Sequence, residues 1–234
     1  MDQVKAKDRI NRNSDLWHDV RWQIKKSWAT IVLVLGVTAV FLGGILFLHL
    51  WKGIPIGNLT RDPVAVGQLP VYTGFLSQIG IFFWVTAVAI CLFCSAVLAR
   101  LVIRPRLKRF LLISALLTLL LALDELFMLH ETVLPRLGIP ERVVLSSYLL
   151  FFGLYFARYY RLIWRTEFLP LLMALFFFGV SLLIDQRPLT NPNLHYLVED
   201  GTKLVGIISW MAYFFQVSLQ ALQRPIPIVS AKSE

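Results

Sequence analysis

Acidic and imidazole side chains lie within an otherwise apolar stretch in the middle of this 234-residue chain. The stretch holds Asp124, Glu125, His130 and Glu131 among leucine, alanine and phenylalanine. If it forms one continuous helix, Asp124 and Glu131 share a face, with Glu125 and His130 flanking it. A carboxylate inside an apolar membrane helix is costly unless it is paired, protonated or hydrated. Two adjacent carboxylates therefore predict a site with a structural or chemical role.

A second stretch near the end of the chain carries the complementary groups. His195, Glu199 and Lys203 follow one another at intervals of four residues, so a helix presents them on one face, next to Asp200. At 1.5 Å per residue, Lys203 lies roughly 9 Å inside the apolar stretch, the same depth as Asp124. We therefore predict that Lys203 pairs with Asp124 or with Glu199.

Imidazole and carboxylate groups at one level form a ligand set for zinc, iron or manganese. The first functional hypothesis is a metal-assisted enzyme that acts on a lipid or another membrane-soluble substrate. In this hypothesis Asp124 orients a ligand or acts as general base, and Lys203 neutralises charge. The metal ligands would be His130, Glu131, His195 and Glu199.

Two non-enzymatic interpretations use the same residues. In one, the groups form a buried salt-bridge network that sets the register of the helices in a structural or assembly component. In the other, they form the proton path of a transporter. The spacing matches no sharp metal motif, such as His-Glu-x-x-His, so the sequence leaves all three interpretations open.

The residues that position these groups lie in long apolar blocks. The chain is 57% hydrophobic and 16% charged, against about 25% charged in an average soluble domain. Blocks of 18 or more apolar residues are typical of transmembrane helices. We predict an all-α, polytopic membrane bundle of about six helices, which run over Trp28–Leu50, Tyr72–Ala99, Phe110–Thr132, Val143–Ala157, Phe168–Ile184 and Leu197–Leu222.

Lysine and arginine are distributed unevenly among the segments that connect the blocks. Seventeen lie in the N-terminal segment, the second and fourth loops and the tail, and five lie in the other three loops. The positive-inside rule then places both termini in the cytoplasm. We expect the protein in the cytoplasmic (inner) membrane of a bacterium. The net charge of +9 is explained by these short basic runs, and we expect no nucleic-acid partner.

The chain is predicted to have three parts. Residues 1–27 form a cytoplasmic segment, residues 28–222 form the transmembrane domain, and residues 223–234 form a cytoplasmic tail. Within residues 14–28, Trp17, Ile24 and Trp28 recur at helical spacing, with Arg21, Lys25 and Lys26 between them. This pattern predicts an amphipathic helix that binds anionic lipid at the inner leaflet. A protein partner or a homo-oligomer remains open.

Overall fold

A computed structural model of the chain describes residues 27–28, 32–187 and 189–223. Of these residues 83% are helical and none is in a strand, which confirms the predicted all-α class. The predicted amphipathic helix and the tail lie almost wholly outside the described residues. Those two features, and the three-part division of the chain, stay predictions.

The chain divides into two compact units, the first ending at Thr73 and the second beginning at Gly74. The first unit contains α1 (Val32–Lys52), α2 (Ile56–Thr60) and α3 (Pro63–Val66). Helix α3 begins where the Asp62 carboxylate accepts hydrogen bonds from the backbone N–H groups of the first turn. The segment between the first two predicted apolar blocks is thus partly helical.

The described part of the second unit contains five long helices and two short ones. The sequence signals at their starts are proline in the first turn of α5 and α8, and the Asn191 side chain, which accepts backbone hydrogen bonds at the start of α9. The elements are α4 (Phe75–Arg100), α5 (Pro105–Phe127), a π-helix (Leu129–Val133), α6 (Leu134–Arg136), α7 (Glu141–Ile163), α8 (Leu169–Asp185) and α9 (Pro192–Gln223).

Each of the six predicted apolar blocks corresponds to a helix. Five helices, α1, α4, α5, α7 and α9, are long and apolar enough to cross a membrane, and α8 is a shorter apolar helix of 17 residues. Helices α5 and α9 each begin five residues before the predicted starts at Phe110 and Leu197. The fourth block was predicted too short, since α7 continues through Ile163.

The core of the second unit is aromatic. Helix α4 packs against α5 and α9, and α8 packs against α9. Trp210 of α9 is fully buried, and its indole N–H donates to the Thr118 hydroxyl at 3.0 Å. Trp84 stacks on Phe178 of α8, with ring centroids 5.6 Å apart. Burial of these large rings, with the indole nitrogen satisfied, sets the mutual positions of α4, α5, α8 and α9.

The outer surfaces of the long helices of the second unit are also apolar. Phe82, Leu149 and Phe176 are more than 60% exposed, and they represent a large set of exposed aliphatic and aromatic side chains. Soluble monomers rarely expose contiguous apolar surface on this scale. An apolar helix surface of this extent is typical of helices that face lipid.

Candidate functional site

Helix α5 breaks just beyond its two carboxylates. It ends at Phe127, and Met128 adopts a left-handed conformation with φ of 50° before the π-helix begins. A non-glycine residue in this conformation is strained and requires support from its surroundings. The predicted continuous helix through Thr132 is therefore wrong at this point, and the helical-face relation between Asp124 and Glu131 does not hold.

The break brings His130 back onto Asp124. The Asp124 carboxylate is buried and accepts hydrogen bonds from the His130 backbone N–H at 2.9 Å and from the Tyr148 hydroxyl at 3.1 Å. Its other oxygen lies 2.5 Å from His130 Nδ1. Three hydrogen bonds thus stabilise this carboxylate and hold the π-helix against α5 and α7. They also supply the support that the Met128 conformation needs.

Glu125, the neighbouring carboxylate, faces a different set of helices. It pairs with Lys203 of α9, with Oε2 and Nζ 2.5 Å apart, and its other oxygen accepts a hydrogen bond from the Ser77 hydroxyl of α4 at 3.1 Å. The sequence prediction that Lys203 pairs with Asp124 or Glu199 is corrected here. Adjacent residues differ by 100° around a helix, and this rotation directs Glu125 to α9 and Asp124 to α7.

We refer to these side chains together as the polar network. It links four helices and the π-helix at one level of the second unit. Its members are Ser77, Asp124, Glu125, His130, Tyr148 and Lys203. A void of about 10 Å³ lies beside Glu125, Lys203 and Asp200. That volume is close to the minimum that holds one water molecule.

The two remaining predicted residues of α9 form their own pair. His195 Nε2 lies 3.2 Å from Glu199 Oε2, one helical turn away, as the spacing predicts. The other ring nitrogen, Nδ1, accepts a hydrogen bond from the Leu189 backbone N–H at 3.4 Å. The ring therefore connects the start of α9 to the segment that precedes it.

The four predicted metal ligands are arranged as two separate pairs. His130 Nε2 lies 3.4 Å from Glu131, whose side chain is 55% exposed, and His195 pairs with Glu199. Among residues 27–28, 32–187 and 189–223, no three His, Cys, Asp or Glu side chains are grouped so that they could hold a metal ion. Catalytic zinc typically has three protein ligands. The described geometry thus gives no support to a zinc, iron or manganese centre at these residues.

The electrostatics of His130 follow from its partners. The hydrogen bond to Asp124 raises the pKa of His130 above its ordinary value, burial lowers it, and the nearby charges of Asp124 and Glu131 raise it further. The net shift is upward, which favours the imidazolium form next to the carboxylate.

Ser77 and Tyr148 belong to the polar network but were not among the residues that the sequence indicated. Both lie near the ends of apolar blocks, where tyrosine is common in membrane helices. Their distances along the chain from the partner carboxylates are 48 and 24 residues. No local pattern connects positions so far apart.

One protein family matches the chain, over residues 29–217, and it is described as Domain of unknown function (DUF8692). No curated protein matches the chain. No solved structure matches it either. Because the match covers well over half of the sequence, the chain belongs to this family.

Proposed function

We propose that this member of the DUF8692 family is a non-enzymatic, multi-pass membrane component, and that its polar network is a structural clamp. The observation that carries the proposal is the pairing of both carboxylates of α5. Asp124 has three hydrogen bonds from within the chain, and Glu125 has Lys203 and Ser77. A catalytic or metal centre needs an unsatisfied position for substrate or water, whereas a clamp needs each buried polar atom to have a partner.

Membrane insertion is part of this proposal. The apolar outer surface and the five long apolar helices support it. Helix α8 has 17 residues, about 25 Å at 1.5 Å per residue, which is at the short end of the range for a spanning helix. With α8 included the count is six spans, both termini are cytoplasmic, and the protein belongs in a bacterial inner membrane.

Reporter fusions test this topology. Fusions after Arg106, after Arg161 and at the C-terminus should report the cytoplasm. Fusions after Gly57 and Asn191 should report the outer side. An outer C-terminus would mean that one of the six helices, most simply α8, does not span.

The clamp has a clear physical purpose in a membrane. Apolar helix surfaces slide and rotate against one another with little penalty in lipid, since lipid and leucine are equally apolar. An ion pair between α5 and α9 specifies a single register, because any rotation leaves a charge unpaired in a medium of low dielectric. In this protein Glu125 and Lys203 make that pair, with side chains 16% and 33% exposed.

A double-mutant cycle on Glu125 and Lys203 tests the clamp. Lys203→Met should lower the free energy of unfolding by about 3 kcal/mol, since it leaves Glu125 without its cation. The double variant with Glu125→Leu should recover much of that loss, because no uncompensated charge remains. The measurement is unfolding in detergent micelles. Additive losses in the double variant would contradict a mutual pair.

Metal content separates the clamp from the enzyme hypothesis. The clamp predicts no stoichiometric metal in wild type extracted without chelators, and it predicts no change in metal content in Glu199→Gln. An enzyme with Glu199 as a ligand predicts bound metal that is lost in this variant while the fold survives. Stoichiometric zinc, iron or manganese that depends on Glu199 would overturn the proposal.

A further inference from the structure

Six arginines line one cavity at the end of the second unit that is opposite to the polar network. The cavity has a volume of about 1110 Å³, slightly above the usual size range of small-molecule sites. It lies where α5 begins and where α7 and α9 end. The arginines are Arg104, Arg106, Arg109, Arg158, Arg161 and Arg165.

Helical spacing explains how these side chains meet. Arg158, Arg161 and Arg165 follow one another at intervals of three and four residues along the end of α7 and the turn after it, so they form one stripe. Arg106 and Arg109 are three residues apart in the first turns of α5. Each element thus directs its basic stripe into the same space.

The arginines differ in what already engages them. Arg104 donates from Nη1 to the Ala221 carbonyl at 3.0 Å and so caps the end of α9. Arg161 donates to the Tyr160 hydroxyl at 2.7 Å. The Arg158 guanidinium lies over the Tyr159 ring, 5.6 Å from its centroid, and Arg106 and Arg109 are exposed to the cavity or to solvent. Four ion pairs are present in the described part of the chain, and none of them includes any of the six arginines.

The wall of the cavity combines these cations with apolar and aromatic surface. Leu107, Leu162 and Val217 contribute aliphatic side chains, and Tyr159 and Tyr160 contribute rings. None of the described lining residues is acidic. Like charges gathered at this density repel one another, and an anion that neutralises them relieves the repulsion.

We propose that this cavity binds a phosphate-bearing anion that also has an apolar or sugar-like part. The guanidinium group presents a planar fork that matches phosphate oxygens, which distinguishes it from the point charge of lysine. Five of the six cations come from two separate stripes, so the phosphate is held from two sides. The rest of the ligand contacts the aliphatic and tyrosine wall.

Two sources can supply such a phosphate. One is the headgroup of an anionic lipid at the cytoplasmic surface, where basic pockets between membrane helices bind such groups. The other is a water-soluble phosphate ester. The site and its chemistry are the same in both cases, and this proposal does not depend on the polar network being a clamp.

The experiment uses the full-length protein with two probes. In detergent micelles, the protein is titrated with inorganic diphosphate. In nanodiscs, thermal stability is compared between phosphatidylcholine alone and phosphatidylcholine mixed with phosphatidylglycerol. The test variants are Arg109→Gln on α5 and Arg158→Gln on α7. The matched control is Arg100→Gln, an exposed arginine at the same end of the unit that does not line the cavity.

Each test variant should weaken binding about tenfold, the effect of losing one charge-assisted hydrogen bond, and Arg100→Gln should change it little. Arg109→Lys should bind more weakly than wild type although it keeps the charge. Diphosphate binding that depends on Arg109 and Arg158 supports a soluble phosphate ester. Stabilisation by phosphatidylglycerol with the same dependence, and no diphosphate binding, supports a lipid headgroup.

Three results would overturn the proposal. The first is that neither probe binds. The second is that Arg100→Gln weakens binding as much as the test variants do, which would indicate a diffuse surface effect. The third is that wild type, Arg109→Lys and a correctly folded Arg109→Gln all bind the probe equally.

Discussion

The two ends of the second unit differ in whether their charged side chains have partners of opposite charge. At one end Asp124 contacts His130 and Glu125 contacts Lys203, both at hydrogen-bonding distance. At the other end six arginines line one cavity, and none of them has a carboxylate partner among the described residues. The charged side chains of the polar network are thus paired, whereas the arginines at the second end are not paired with acidic groups among the described residues.

From this difference we expect one end to stabilise the fold and the other to bind a ligand. The paired side chains of the polar network contribute to the stability of the fold, since removing one member of a pair leaves the other unpaired in apolar surroundings. Arginines without carboxylate partners contribute little to the stability of the fold, and their charge is available to bind an anionic ligand. Substitutions at the first end should therefore reduce stability, and substitutions at the second should reduce binding.

The largest effect is expected at Asp124. Asp124→Ala removes the acceptor of three hydrogen bonds and leaves His130 and Tyr148 without it. The free energy of unfolding should fall by about 3–5 kcal/mol, measured by denaturant unfolding in micelles. Asp185→Ala is the control, because Asp185 is exposed at the end of α8. Equal losses in the two variants would refute the special role of Asp124.

A smaller effect is expected from the charge of His130 alone. Its pKa is raised in the folded state by the hydrogen bond to Asp124, so the protonated form stabilises the fold. The contribution is complete below the unfolded-state pKa, about 6.5, and is lost as the pH rises through the folded-state pKa. Unfolding at a series of pH values should show this decline in wild type and a flatter profile in His130→Gln. A decline of the same size in both proteins would show that another group is responsible.

At the arginine end, one substitution should affect stability. Arg104→Gln removes the hydrogen bond to the Ala221 carbonyl at the end of α9, which should cost about 1 kcal/mol. The same unfolding assay measures it, with Arg106→Gln, two residues along, as the matched control. If both variants are as stable as wild type, the cap on α9 does not contribute.

The smallest effect is expected from the other cavity arginines. Arg158→Gln should change the free energy of unfolding by no more than about 0.5 kcal/mol, because the side chain is exposed and pairs with no carboxylate among the described residues. A slight gain in stability is the expected direction, since the change relieves repulsion between cations. A loss comparable to that of Asp124→Ala would abolish the distinction between the two ends.

Much of the fold could be read from the sequence. Hydropathy located all six long helices, because a membrane-length apolar helix is a local property of about 20 residues. The chemistry of the two polar stretches was equally visible, and the His195–Glu199 pair followed from a spacing of four residues within one helix. What the sequence determined by itself is therefore local: which segments are helices and which faces carry charge.

The partners across helices were decided by the tertiary structure. Lys203 pairs with Glu125 rather than with the adjacent Asp124, a choice that depends on a rotation of 100° that apolar periodicity does not specify. His130 reaches Asp124 because α5 breaks at Met128, a strained conformation stabilised by contacts made from the other side of the break. The arginines of α5 and α7 lie about 50 residues apart in the chain and share a cavity because two helix ends meet. Each of these outcomes depends on how rigid helices pack together, and packing depends on residues distant in sequence, which no local pattern connects.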